Sequence, residues 1–373
     1  MSAIEWKHFV GQSRIKELLG NAFANGALGH AYLFCGDEGC GTLAAACDMG
    51  RALLCESEAT AGCDECPGCR KIASMAHPGF SLLCPLPFGR EHRGTDGSLS
   101  EAGWDWINES VRKRIADPYL PLPGEGSRSI PLDWVKEVLQ SIGRSRGREG
   151  KRHVVILADA DLLRKETANA MLKTIEEPPV GTFLFLCTSR PHAVLQTIRS
   201  RCQVVRFGHL TPEQIRAELL NRMDTVIDDA RLRFAVDSAQ GSLCAALAVL
   251  DEGVAQVEED ARLLMGSGEV REPLAVVAHL ERMADQYTSA RLEQLLQYCL
   301  ITLRTTCMAS EHGAGNYFGR GFSLRDDSAD RATEVCETAL AAARNHGNAL
   351  VLLVAFYLEM MEIVRDGKEQ QAD

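Results

Sequence analysis

The segment from residue 30 to residue 54 constrains the fold most. His30-Ala31-Tyr32-Leu33-Phe34-Cys35 is a short β-prone run, Gly36-Asp37-Glu38-Gly39-Cys40-Gly41 is a glycine-rich turn, and a helical pattern follows from Thr42 to Leu54. Strand, glycine loop and helix in that order make a phosphate-binding unit, because loop amides and a helix N-terminus converge on one anion. Further strands follow. Residues 153–157 are a run of the continuous apolar kind buried on both faces of a parallel sheet, residues 183–187 and 204–207 read as a third and a fourth buried strand, and residues 166–175 read as a helix closed by Pro178-Pro179. Strands alternating with helices predict an α/β domain.

The loop lacks the residues that handle charge. A working P-loop reads G-x-x-x-x-G-K-[ST], where the Lys reaches the phosphates and the hydroxyl holds Mg²⁺. Gly36 and Gly41 have that spacing and Gly39 lies between them, but the Lys position holds Thr42 and the hydroxyl position Leu43. An amide nest remains, with a plain strand-to-helix turn as the bland reading. The second strand leads into Ala158-Asp159-Ala160-Asp161, which puts Ala158 where an ATPase holds Mg²⁺ if Asp159 takes the water-activating place. Hydrolysis at this loop is not expected, and the loop is expected to be empty of ATP.

Cys55, Cys63, Cys66 and Cys69 form C-x7-C-x2-C-x2-C, with Gly62, Pro67 and Gly68 supplying tight turns. Four thiolates within fifteen residues suit a closed, tetrahedral, structural Zn²⁺ site. Disulfides and an iron–sulfur cluster are the other readings; a reducing compartment disfavours the first. The other cysteines mostly stand alone on apolar backgrounds, as Cys35, Cys187, Cys299 and Cys336 do, where a thiol behaves as a small hydrophobe.

Residues 85–131 differ in character: Pro85, Pro87, Pro118, Pro121, Pro123 and Pro131 and many glycines surround one helical stretch at 102–115, and the segment reads as an insertion. Trp104 and Trp106 within it either close a small local core or mark a partner surface. Residues 144–152 form a basic run, read first as a solvated loop and second as a phosphate contact. Beyond residue 210 strand signals vanish. Thr211-Pro212-Glu213 starts a set of short helices that runs to about residue 254, and longer helices continue to the end. The expected division is an α/β domain over 1–209, with the cysteine module at 55–69 and the insertion at 85–131. A small helical domain over 210–257 and an all-α domain over 258–373 complete it.

The 40 Lys and Arg against 51 Asp and Glu leave a net charge of −11, so the bulk surface does not advertise nucleic acid. Glu5, Trp6, Lys7 and His8 near the start leave no apolar run of the export kind, and the longest apolar stretch, residues 349–358, is too short for a membrane span. A cytoplasmic location without membrane contact is expected.

Several segments together resemble the bacterial replicative clamp loader, an AAA+ family. They are Phe9-Val10-Gly11-Gln12, Gly29-His30-Ala31-Tyr32-Leu33-Phe34, the four cysteines, Asn169-Ala170-Met171-Leu172-Lys173-Thr174-Ile175-Glu176-Glu177-Pro178-Pro179, Ser200-Arg201-Cys202 and Gly241-Ser242-Leu243. The resemblance covers residues 5–250 apart from the insertion. It implies an AAA+ P-loop-type domain followed by a helical lid and an oligomerising helical collar. Two subunit types fit: the gamma/tau ATPase, and the delta-prime type, which has lost its nucleotide chemistry and keeps the Ser-Arg-Cys arginine. Thr42, Leu43, Ala158 and Cys244, where the ATPase has an arginine after Gly-Ser-Leu, all depart toward the delta-prime type. The resemblance then implies that Arg201 acts as an arginine finger in trans on a neighbouring ATPase. The implied partners are gamma/tau-type and delta-type subunits and, through the assembled complex, the sliding clamp and primer–template DNA of a DNA polymerase III holoenzyme. The alternatives are a gamma/tau-like ATPase with a degenerate P-loop and a zinc-stabilised DNA-binding protein.

Overall fold

The computed structural model describes residues 3–57, 60–95, 97–120, 128–144, 152–223, 229–250, 254–265, 273–287, 291–292, 295–296, 298–300, 302–303, 326–344 and 348–372. Most of the basic run at 144–152, together with Pro121, Pro123 and the glycine-rich stretches at 266–268 and 313–321, lies outside the described residues. The chain forms two compact units, one of residues 1–224 with 239–247 and one of residues 225–238 with 248–373.

The first unit is built on a five-stranded parallel sheet. Its strands are β1 (Ala31–Cys35), β2 (Phe80–Leu83), β5 (His153–Leu157), β6 (Thr182–Thr188) and β7 (Gln203–Arg206), in the order β2-β5-β6-β1-β7. A separate antiparallel ribbon pairs β3 (Leu86–Pro87) with β4 (Arg128–Ser129). The ribbon pinches the insertion at its base by pairing its two ends with each other. Strands β1 and β5 are buried at every position, as their unbroken apolar runs require. Strand β2 was not expected; only four residues long, it sits between the Pro78-Gly79 turn and Pro85 and takes an edge position.

Helix α1 (Ser13–Ala24) buries Ile15, Leu19 and Phe23, one face at four-residue spacing. Helix α2 (Thr42–Leu54) is buried from Leu43 to Leu54, and its alanines allow close packing against β5 and β6. α3 (Pro67–Ala73) carries the last cysteine, α4 (Glu101–Ala116) is the helix of the insertion, and α5 (Leu132–Arg144) follows it. α6 (Lys165–Glu176) and α7 (Gln196–Arg199) flank β6 in sequence, and α8 (Pro212–Arg222) opens with a capping box of Thr211 and Gln214.

A buried charge inside α2 ties three segments together. The Asp48 carboxylate, 1% exposed, accepts from the backbone N–H of His8 (2.9 Å) and Phe9 (3.0 Å) and from Arg51 Nη1 (3.0 Å). Arg51 also donates to the Gly62 carbonyl (2.9 Å) and pairs with Asp64, which pairs in turn with Lys7. The N-terminal segment, the helix of the glycine loop and the cysteine module are thereby joined.

The second unit holds helices Val254–Leu264, Pro273–Gln286, Asp326–Arg344 and Ala349–Ala372 around a core that includes Leu264, Leu280, Leu295, Cys336, Phe356 and Met360. Within it Asp260 is buried and accepts from Tyr287 Oη (2.6 Å) and His279 Nε2 (2.8 Å). Among the described residues no helix is long and apolar enough to cross a membrane.

Replacing Asp48 by Ala leaves the Arg51 guanidinium, 6% exposed, beside two orphaned amides. Asp48→Ala should destabilise the chain by about 3–5 kcal/mol in urea denaturation, whereas surface Asp105→Ala should stay within about 0.5 kcal/mol.

Candidate functional site

The glycine loop caps the C-terminal edge of the sheet and borders a cavity of ≈ 310 Å³. Gly36, Gly39, Gly41 and Thr42 all line it, together with Leu43, Ala158, Asp159 and Cys244. Two of the glycines are required by their surroundings. Gly41 is the left-handed N-cap of α2 (φ 102°), and a side chain there would begin 3.0 Å from Tyr119 Oη and 3.1 Å from the Phe9 ring. Gly39 (φ 82°) faces the start of the helix at Leu243: a Cβ would meet Ser242 Oγ and stand 2.8 Å from the Cys244 nitrogen. The Gly39 carbonyl accepts from the Leu243 N–H at 3.1 Å, so loop and Gly-Ser-Leu segment are in direct backbone contact.

Thr42 and Leu43 offer neither a cation nor a short hydroxyl at the Mg²⁺-ligand position. Asp159 is left-handed (φ 51°), and burial holds its carboxyl above the ordinary range, with Arg114 opposing that shift. Asp161 is engaged elsewhere: it accepts from Thr188 Oγ1 (2.7 Å) and pairs with Arg190 Nη2 (2.7 Å). Burial pushes the Cys244 thiol up to about 12 and the Cys40 thiol to about 11, so both stay neutral.

Sequence reasoning missed the other wall. Arg114, Pro118, Tyr119 and Arg128 of the insertion line the same cavity. Arg114 Nη1 donates to the Leu120 carbonyl (2.7 Å), while its Nε is buried and finds no hydrogen-bond partner among the described residues. No local periodicity announces a contact between residues 114–119 and a loop seventy residues earlier. Of the insertion's tryptophans, Trp106 closes a local cluster: its Nε1 donates to the Pro87 carbonyl (3.2 Å) and its ring stacks on His92.

The four cysteines come together. Cys55 ends α2 as its C-cap, Cys66 is the N-cap of α3, and the Sγ atoms of Cys55, Cys63, Cys66 and Cys69 all lie within 4.8 Å of one another. Cys55 Sγ stands 3.6 Å from Cys63 Sγ and 3.8 Å from Cys66 Sγ. A tetrahedral ion with bonds of ~2.3 Å places its sulfurs about 3.8 Å apart, so the set fits. Backbone N–H groups point at the sulfurs: Glu56 and Cys69 donate to Cys66, Cys66 to Cys63 and Ser57 to Cys55. Burial raises the Cys66 thiol, but the N–H groups of Cys69 and Glu56 outweigh it and bring it down to about 6.

Arg201 lies apart from both. It follows α7, does not line the cavity, and stands 39% exposed. Its Nε pairs with Glu176 Oε1 at the end of α6 (2.8 Å), and its Nη1 donates to the Thr197 carbonyl (2.8 Å) and to Ser200 Oγ (3.4 Å). Two sides of the guanidinium are held and Nη2 has no partner among the described residues.

Comparison with known proteins sets this geometry in a family. The family described as DNA polymerase III, delta subunit, matches residues 11–211, more than half of the chain. The chain belongs to that family. It is 29% identical over 290 residues to DNA polymerase III subunit delta' of Escherichia coli (strain K12), covering 76% of this chain and 71% of that protein. It is likewise 29% identical over 222 residues to the subunit delta' of Bacillus subtilis (strain 168), covering 59% of this chain and 55% of that protein. DNA polymerase III subunit tau of E. coli is 27% identical over 292 residues, 77% of this chain and 37% of tau. The chain thus spans about half the length of the B. subtilis relative and little more than a third of tau. The five-stranded parallel sheet with helices between its strands is the α/β fold the sequence predicts.

The loop contact separates two effects of one substitution. Gly39→Ala meets both a left-handed backbone and Ser242, while Gly26 (φ 65°) has open space around it. Thermal denaturation should show Gly39→Ala costing about 1–3 kcal/mol more than Gly26→Ala.

Proposed function

We propose that this chain is a non-hydrolysing, delta-prime-type subunit of the bacterial replicative clamp loader. The observation that carries the reading is the separation of its two charge sites. The glycine loop keeps amides but has Thr42, Leu43 and Ala158 in place of the cation and Mg²⁺ ligands, whereas Arg201 stands outside that cavity with an exposed guanidinium. An arginine so placed does not serve its own loop. It serves a nucleotide held by a neighbour, where a guanidinium stabilises charge on the transferring γ-phosphoryl. Glu176 and the Thr197 carbonyl orient it for that task, leaving Nη2 to face outward.

In this reading the neighbour is a gamma/tau-type ATPase, a delta-type subunit completes the open ring, and the assembly loads the sliding clamp on primed DNA during replication. Residues 210–257 act as the lid and 258–373 as the collar that holds the ring together. Zn²⁺ bound by Cys55, Cys63, Cys66 and Cys69 is structural: four thiolates leave no open position, and the ion cross-links the end of α2 to α3. Through Arg51, Gly62 and Asp64 that cross-link extends to the N-terminal segment.

In a reconstituted complex, Arg201→Ala should leave assembly intact by size-exclusion chromatography. It should also slow ATP turnover at the site it faces by about 10³-fold or more, with clamp loading falling in step. Unchanged turnover would overturn the reading. Metal analysis after purification under reducing conditions should find about one zinc per chain, and Cys63→Ser should lose it and lower Tm. A zinc-free, fully folded protein would contradict the cysteine assignment.

A further inference from the structure

We infer that the insertion is a resident ligand of the glycine-loop site: its Asp117–Tyr119 turn bridges the loop and α8 and holds them together without nucleotide. The inference does not depend on the role given to Arg201.

Three segments meet at Tyr119, whose side chain is 2% exposed. On the core side its hydroxyl accepts from the Val10 N–H (3.4 Å) and lies 3.0 Å from where a side chain on Gly41 would begin, so it rests on the glycine loop itself. On the α8 side the Arg222 guanidinium lies over its ring, 5.1 Å from the centroid. Arg222 is fixed there by Asp117 through Nη1 (2.7 Å) and by Glu218 through Nε (2.6 Å). The turn is rigid in its own right: Asp117 Oδ1 accepts from the Tyr119 N–H (3.0 Å), and Arg114 donates to the Leu120 carbonyl (2.7 Å). The ion pairs with Asp117 and Glu218 are only 18–25% exposed, which keeps them from the full screening of a surface pair.

A diffusible ligand that sits between two elements holds them together only in proportion to its concentration. A segment tethered in the same chain has a fixed and high effective concentration. Here the tether is short at its base, because the β3–β4 ribbon pairs the two ends of the insertion with each other. Helix α8 is therefore set against the loop at all times. Through this turn the insertion has a partner inside the same unit.

Hydrogen exchange of the full-length chain tests this directly. In the wild type, the amides of α8 and of Val10 should be protected to the same degree with and without saturating Mg²⁺-ATP. Arg222→Gln and Asp117→Asn should each raise exchange across α8 by about tenfold while β5 and β6 keep their protection. Tyr119→Leu, which retains apolar volume and removes both the hydroxyl and the aromatic face, should expose Val10 and α8 together. Should Tyr119→Leu fail to fold, the two milder variants decide. Unchanged α8 exchange in Arg222→Gln and Asp117→Asn would overturn the inference, and so would wild-type protection that appears only when ATP is added.

Discussion

A carboxylate with almost no exposure holds this structure to a single arrangement. Asp48 sits inside α2, and the cost of burying its charge is offset by two backbone amides and one guanidinium. Each partner belongs to, or leads into, a different part of the molecule. The amides fix the N-terminal segment that carries Phe9 against the glycine loop. Arg51 reaches the cysteine module through Gly62 and Asp64. Because α2 begins at the loop and ends at Cys55, one buried pair in its middle sets the relation between the candidate nucleotide pocket and the candidate metal centre.

The candidate pocket is held by packing as much as by its amides. The amide nest and its glycines persist, since they are also packing positions: Gly39 abuts Ser242 and Gly41 abuts Tyr119 and Phe9. The polar groups around it have found other occupations. Asp161 serves Thr188 and Arg190, Cys244 presents a neutral thiol, and residues of the insertion form one wall. On the proposed reading these features weigh against turnover in this chain and for a supporting role of its exposed arginine.

The parts of this arrangement that rest on local chemistry are readable in the sequence. The glycine spacing, the four cysteines and the apolar runs of β1, β5 and β6 each announce themselves within a few residues, whereas β7, expected to be buried, is a largely exposed strand because it takes the sheet edge. Strand β2 does not: four residues at a sheet edge, framed by Pro78-Gly79 and Pro85, carry too little pattern. The Asp48–Arg51 pair looks like any charged i,i+3 pair on a helix, and its burial follows from packing on all sides of α2. Tyr119 and Arg114 are further from reach, since their meaning depends on a tertiary contact with residues 9–41. The Glu176–Arg201 pair is equally hidden, since it needs α7 to bring the arginine alongside the end of α6.

Mg²⁺-ATP titration of the isolated full-length chain by calorimetry, followed by a turnover assay, tests the central claim most directly, with an intact gamma/tau-type ATPase as control. The account predicts neither saturable binding nor phosphate release, because no side chain at Thr42, Leu43 or Ala158 replaces the missing cation and metal ligands. Micromolar binding with turnover would contradict it and would make this chain a motor subunit instead of the supplier of an arginine to one.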